Sequence, residues 1–232
     1  MKKTAHIALP ALTVACSLAS GAQAAVVVAG WSMATAIPAA TTGTSYNYGA
    51  ADSGDLASGT MLSSGHAAAA TTYSTPAGNG STYSFSSNNW AIGDYYQVSV
   101  STIGYSGVSI SWDQTRSGTG PATFDAVMSV DGGTNWTTIL AGYSVVQAGL
   151  AGTNTTSWNT VTPQAGFTLT AVASAAANGQ ANVLFRLRST VTTAAAGTNR
   201  VDNIVVSGTA IPAPGAIALL GVAGLVGARR RR

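Results

Sequence analysis

In the stretch GVSISW, residues 107–112, the apolar Val108, Ile110 and Trp112 alternate with Ser109 and Ser111. A period of two sends alternate side chains to opposite sides of an extended strand, so such a segment buries one face and wets the other. The pattern returns where Val183, Phe185 and Leu187 alternate with Leu184, Arg186 and Arg188. YYQVSVST, TFDAVMSV, NWTTIL, GFTLTAV and VDNIVVSG read likewise, separated by Gly, Asn, Asp and Pro turns. No helix-period pattern competes: Glu is absent and Lys occurs only at positions 2 and 3. Many short half-buried strands predict an all-β fold, an antiparallel two-sheet β-sandwich of jelly-roll-like layout. Residues 34–80 carry few large apolar side chains and read as long loops with one or two weak strands. No internal repeat is visible.

Charge is sparse and placed at the ends. Lys2, Lys3 and Arg229, Arg230, Arg231 and Arg232 make up six of the ten basic residues. Between them four Arg face seven Asp, a balance of −3, which excludes a nucleic-acid partner that needs a basic face. Lys2-Lys3, the apolar stretch Ile7–Ala19 and the small residues of Ala22-Gln23-Ala24 form a secretory signal peptide over residues 1–24, cut after Ala24 by signal peptidase. Cys16 falls inside it, so the exported body, residues 25–208, has no cysteine and is held by burial alone.

The chain closes on IPAPGAIALLGVAGLVGARRRR. Gly215–Ala228 is fourteen apolar residues, about 21 Å as a helix at ~1.5 Å per residue, short of the ~30 Å bilayer core. Four arginines directly after it hold the end on the cytoplasmic side, so residues 209–232 read as a short C-terminal apolar helix with a stop-transfer end. A permanent anchor and a removable signal are both open on these residues. Pro212-Ala213-Pro214, the Gly/Leu/Ala-rich run and the Arg cluster together resemble the PEP-CTERM sorting signal of Gram-negative surface proteins, with Ala213 standing where that family carries Glu. The resemblance covers residues 211–232. It implies transient residence in the inner membrane, processing by an exosortase-like enzyme, and delivery to the cell surface, outer envelope or extracellular matrix. GVSISWDQTRSGTG, SVDGGTNWTTI, VLFRLRS and NRVDNIVVSG also resemble the jelly-roll domains that such proteins often carry.

Catalytic groups are scarce. The body has one histidine, His66, set in SSGHAAAA and read as a solvated loop residue, and it has no Cys, Glu or Lys. A Ser-His-Asp triad would have to use His66, and no Gly-x-Ser-x-Gly elbow is present. A glycosidase would have to draw two positioned carboxylates from Asp alone. The sequence therefore predicts no enzyme. Asp52 and Asp55 are the weak candidates for one structural Ca²⁺, without the dense oxygen spacing of an EF-hand; no other cofactor is implied. Asp202 shares a strand face with Ile204 and Val206, and a buried carboxylate there needs a partner, for which Arg186 or Arg116 is expected.

Ser129–Trp136, SVDGGTNW, resembles the Asp-box of sialidases and implies a hairpin in which Asp131 accepts bonds from turn amides and Trp136 packs over the turn. Parity points Trp112 and Trp31 inward. Trp90 and Trp158 stand in polar loop sequence and, with Tyr95, are the candidate ligand platform. Two readings follow. One is a non-catalytic exported surface or matrix protein sorted by its tail. The other is a carbohydrate-binding module acting on extracellular polysaccharide.

Overall fold

The computed structural model describes residues 23–149 and 156–212. Among these residues twelve strands build two sheets: β1 (Val26–Trp31), β2 (Ser45–Gly49), β3 (Met61–Gly65), β4 (Tyr73–Ser74), β5 (Phe85–Ser87), β6 (Tyr95–Val100), β7 (Tyr105–Arg116), β8 (Thr123–Ser129), β9 (Thr137–Ser144), β10 (Thr168–Val172), β11 (Val183–Ser189) and β12 (Asn199–Ala210). The first sheet runs β10-β7-β12-β5-β4, with β1 also paired to β12; the second runs β2-β3-β6-β11-β8-β9. Every strand pairing is antiparallel. Helix is limited to two three-residue 3-10 turns among the described residues, and no helix there is long and apolar enough to cross a membrane. The expected signal peptide as far as Ala22 and the expected C-terminal helix from Ala213 onward lie outside the described residues.

Alternation sets the layers. In β7, Val108, Ile110 and Trp112 are buried; in β6, Tyr96, Val98 and Val100 are buried while Tyr95, Gln97 and Ser99 are half-exposed. In β11, Val183, Phe185 and Leu187 turn inward, leaving Arg186 and Arg188 outside. An aromatic spine joins the sheets through the core: Tyr46, Tyr73, Phe85, Tyr96, Trp90, Phe124, Tyr143 and Trp112 follow one another at centroid spacings of 5.1–6.2 Å. Offset and edge-on ring contacts of this kind add to the burial that a disulfide-free body depends on.

Residues 34–80 hold three short strands, β2, β3 and β4, where one or two were expected. Few large apolar side chains suffice there because Leu62 is fully buried and Tyr46 and Tyr48 pack on the core from half-exposed positions.

The long β12 pairs with β7 along one edge, and with β5 and then β1 along the other. Its ladder to β7 shifts register between Asp202 and Val205, where Asn203 takes a left-handed φ of 47°. That bulge breaks the alternation and buries Asp202 beside Val201.

Candidate functional site

The outer face of the second sheet carries an ordered group of polar and aromatic side chains. Gly65 of β3, Tyr95 of β6, Arg188 of β11 and Asp125 of β8 are in register across it. One step along lie Ser63, Gln97, Arg186 and Val127. The Arg186 guanidinium carbon lies 3.7 Å from the centroid of the Tyr95 ring and 4.2 Å from that of Trp136. Its Nε–H donates to Gln97 Oε1 at 2.7 Å, which fixes the plane of the guanidinium. Both aromatic rings stay half-exposed.

Local chemistry places each member. Gly65 leaves room for Tyr95: a Cβ there would lie 2.5 Å from the Tyr95 Cζ. Trp136 is delivered by the β8–β9 hairpin, which has the expected Asp-box geometry. The Ser129 hydroxyl and Asn135 amide donate to Asp131, and the Trp136 Nε1–H donates to the Gly133 carbonyl at 2.9 Å. The Asn135 amide foremost, then the Ser129 hydroxyl, hold the Asp131 carboxyl down at about 2. Gly132 and Gly133 supply the positive φ that this turn requires, 72° and 93°.

Among the described residues, Arg186 has no carboxylate partner. The ion pair on this face is Arg188 to Asp125, 3.2 Å and partly exposed, a geometry that contributes little to stability. Burial pushes the Arg186 pKa below the ordinary arginine value, and nearby Arg188 acts in the same direction, against the opposing effect of Tyr95. Beside Tyr95 lies an open depression of about 330 Å³, lined also by Thr44, Ser45, His66 and Asp94.

His66 is not a solvated loop residue. It is 7% exposed, with Nδ1 3.1 Å from Asp94 Oδ2 and Nε2 3.0 Å from Ser87 Oγ. Ser87 continues to the Tyr96 hydroxyl, which donates to the Asn199 carbonyl. Burial alone would raise the Asp94 carboxyl; hydrogen bonds from His66 and from the Ala91 and Ala67 amides outweigh it and hold the pKa below the usual value. Ser87, His66 and Asp94 have the connectivity of a catalytic triad. Ser87 is buried, however, and Trp90 and Tyr73 pack edge-on against the imidazole, so no acyl group reaches its hydroxyl. This network braces the core.

The other candidates also change place. Trp90 is 1% exposed, within the aromatic spine, and its Nε1–H donates to the Ser87 carbonyl. Trp158 is 5% exposed, edge-on to Phe167 at 5.9 Å, with the Arg200 guanidinium 5.0 Å from its ring. Neither offers a free ring face, and of the predicted platform only Tyr95 stays on the surface. Sequence reasoning missed Arg186 and Trp136. The signals were present: Arg186 alternates with Phe185 and Leu187, and Trp136 immediately precedes a strand.

Asp202 meets neither Arg186 nor Arg116. Its carboxylate accepts from the Asn79 amide (2.6 Å), the Ser81 hydroxyl (2.6 Å) and the Asn203 amide (2.8 Å). Arg116 instead donates to the carbonyls of Val145, Ser117 and Gly118. Burial, reinforced by the neighbouring Asp113 charge, pushes the Asp202 carboxyl up to about 6 despite those bonds. Asp113 shares the node, accepting from Asn79 and Asn203 Nδ2 and from the Thr168 hydroxyl. Asp52 is bound by the amide and hydroxyl of Ser32, and Asp55 by the Tyr105 hydroxyl. These two carboxylates join no group of three or more acidic, His or Cys side chains suited to a metal ion among the described residues.

No protein-family model matches the chain, and no curated protein matches it in sequence. Among solved structures, the chain is similar to the K1 cleaved adhesin domain of Lys-gingipain from Porphyromonas gingivalis W83. The identity is 16% over 76% of this chain and 95% of that one, with a TM-score of 0.42. It is similar to the CBM22-1–GH10 modules of xylanase 10B from Clostridium thermocellum, complexed with xylohexaose, at 18% identity and a TM-score of 0.38. That match covers 62% of this chain and 25% of the xylanase chain. TmCBM61, complexed with β-1,4-galactotriose, is similar at 9% identity and a TM-score of 0.38, over 64% of this chain and 88% of that one. Likeness at this level is loose, and the functional reading rests on the chain's own residues.

Proposed function

We propose that this chain is an exported, non-catalytic β-sandwich module of jelly-roll-like layout that holds extracellular polysaccharide on the outer face of its second sheet. The observation that carries this reading is the half-exposed Tyr95–Arg186–Trp136 group, set beside an open depression. Aromatic faces stack on the apolar faces of sugar rings, and an oriented guanidinium supplies hydrogen-bond donors at their edges. A single ring contact contributes only about 0.5–1.5 kcal/mol, so one site of this size binds weakly and gains from the many repeats of a polymer.

Delivery is read from the chain ends: removal of residues 1–24 by signal peptidase, then sorting by the PEP-CTERM-like tail through an exosortase-like enzyme at the inner membrane of a Gram-negative cell. Mass measurement of the native protein checks this part, and a mature chain that retains Met1 overturns it. Electrophoresis of the full chain through gels containing soluble polysaccharides tests the binding. Wild-type protein is retarded by at least one polymer, and Trp136→Ala and Tyr95→Ala each abolish the retardation with the fold intact. Absence of retardation by every polymer, or its persistence in both variants, overturns the reading.

A further inference from the structure

Resting on that proposed binding face, we infer that the sugar it takes is acidic: a hexuronate whose carboxylate meets the free edge of the Arg186 guanidinium. A guanidinium carries five N–H donors in a planar fork. One of these, on Nε, is used by Gln97 at 2.7 Å. The four on the two Nη atoms have no protein partner among the described residues, and none of the ion pairs there includes Arg186. The remaining arginines of the body are committed elsewhere: Arg188 to Asp125, Arg116 to three carbonyls, and Arg200 to the Ala77 carbonyl.

The guanidinium carbon packs 3.7 Å from the Tyr95 centroid and 4.2 Å from the Trp136 centroid, and the four Nη hydrogens lie in the guanidinium plane. That is the geometry in which a planar carboxylate accepts two parallel bonds, the strongest recognition an arginine makes. A neutral hydroxyl can occupy one such bond but brings no counter-charge to a half-buried cation. A pyranose bearing a carboxylate at C5 supplies both parts at once: the anion for Arg186 and an apolar ring face for Tyr95 or Trp136.

The charges around the site make this a local reading. Arg188 and Asp125 compensate each other, Asp131 is bound within its own hairpin turn, and the body as a whole carries −3. A net negative body does not gather anionic polymers through its general field. Recognition therefore depends on fitting one carboxylate, and loss of the charge on the ligand is as damaging as loss of the arginine.

Gel retardation of the full chain is compared on polygalacturonate, alginate, methyl-esterified polygalacturonate, dextran and dextran sulfate. The expected result is retention by at least one of the two uronate polymers, weakened at least tenfold by esterification. Arg186→Gln removes retention at an unchanged melting temperature, while Arg186→Lys, which keeps the charge without the fork, retains only part of it. Equal retention by a neutral or esterified polymer overturns the uronate inference and leaves polysaccharide binding standing. Dextran sulfate held as tightly as the uronates also overturns it, because a carboxylate is then not what the site distinguishes. Failure to bind any of the five defeats the broader reading as well. Should Arg186→Gln unfold, Arg186→Lys decides: full retention by that variant sinks the inference.

Discussion

Trp90 and Trp136 stand in sequence of much the same kind. SSNNWAIGD and DGGTNWTTI are both polar, turn-rich stretches with one indole, yet Trp90 is buried in the aromatic spine while Trp136 lies half-exposed over Arg186. Each indole N–H donates to a carbonyl three residues earlier, so the local turn does not separate them. What separates them is the chain brought alongside. Trp90 meets His66 and Phe124 from two distant segments, and Tyr96 of the strand that follows it; Trp136 meets a charged group on an outward sheet face. The polarity of a tryptophan's sequence neighbours therefore says little about its burial when its spatial neighbours come from elsewhere.

The sharpest way to break this comparison is to truncate both residues. Trp90→Ala removes a large side chain from a closed core and should cost about 3–5 kcal/mol, read as a large fall in melting temperature. A shift of only a degree or two would place Trp90 outside the core.

Acid titration distinguishes two of the buried carboxylates, Asp202 of β12 and Asp94 just ahead of β6. The folded pKa of Asp202 is raised from 3.8 to about 6. The folded state therefore binds the extra proton between those values, and the cost of ionised Asp202 is present in full above about pH 6. A shift of this size corresponds to about 3 kcal/mol, so melting temperature should rise through Asp202 as pH falls from 6 toward 4. Asp202→Asn should flatten that rise; an unchanged slope would show that another group causes it.

Asp94 has the opposite sign. Its folded pKa is lowered, so its contribution is complete above the unfolded value of 3.8 and is lost as pH falls through the folded one. Asp94→Asn should cost about 1–3 kcal/mol near neutrality, the usual range for stranding a buried hydrogen-bonding partner. The gap to wild type should close in acid, and a gap independent of pH would mean that the His66–Asp94 contact is not what the substitution removes.

The smallest effect on stability belongs to Trp136→Ala. A half-exposed ring over a surface arginine should cost no more than about 1 kcal/mol, while retention on polysaccharide is lost. A loss of stability as large as that of Trp90→Ala would make Trp136 a core residue and remove the basis of the comparison.

What could be read from residues alone follows the range of the interaction. Val108, Ile110 and Trp112 declare a buried strand face because period-two geometry is local, and SVDGGTNW declares its hairpin because donors and acceptors lie within four residues. His66 was misplaced because Ser87 and Asp94 are 21 and 28 residues away. The Asp202 environment depends on a bulge at Asn203 and a loop at Asn79, 123 residues distant. Arg186 could be placed on an outward face by parity, but what meets its guanidinium depends on the strands around it. The candidate site was thus legible as a strand face and a hairpin, and hidden as a cation packed on two rings.

The position of β12 has a mechanical consequence. The strand leads into Ile211 and Pro212 with β7 on one flank and β5 and β1 on the other. A load applied at Ile211 along the strand axis meets ladder hydrogen bonds that lie across the pull on both flanks. Those bonds must slide together in shear, whereas the same number arranged as an edge hairpin would open one after another like a zip. Resistance to such a load is set by the rate of forced unfolding, so a domain of ordinary thermodynamic stability can still be a strong link when it is held by its last strand.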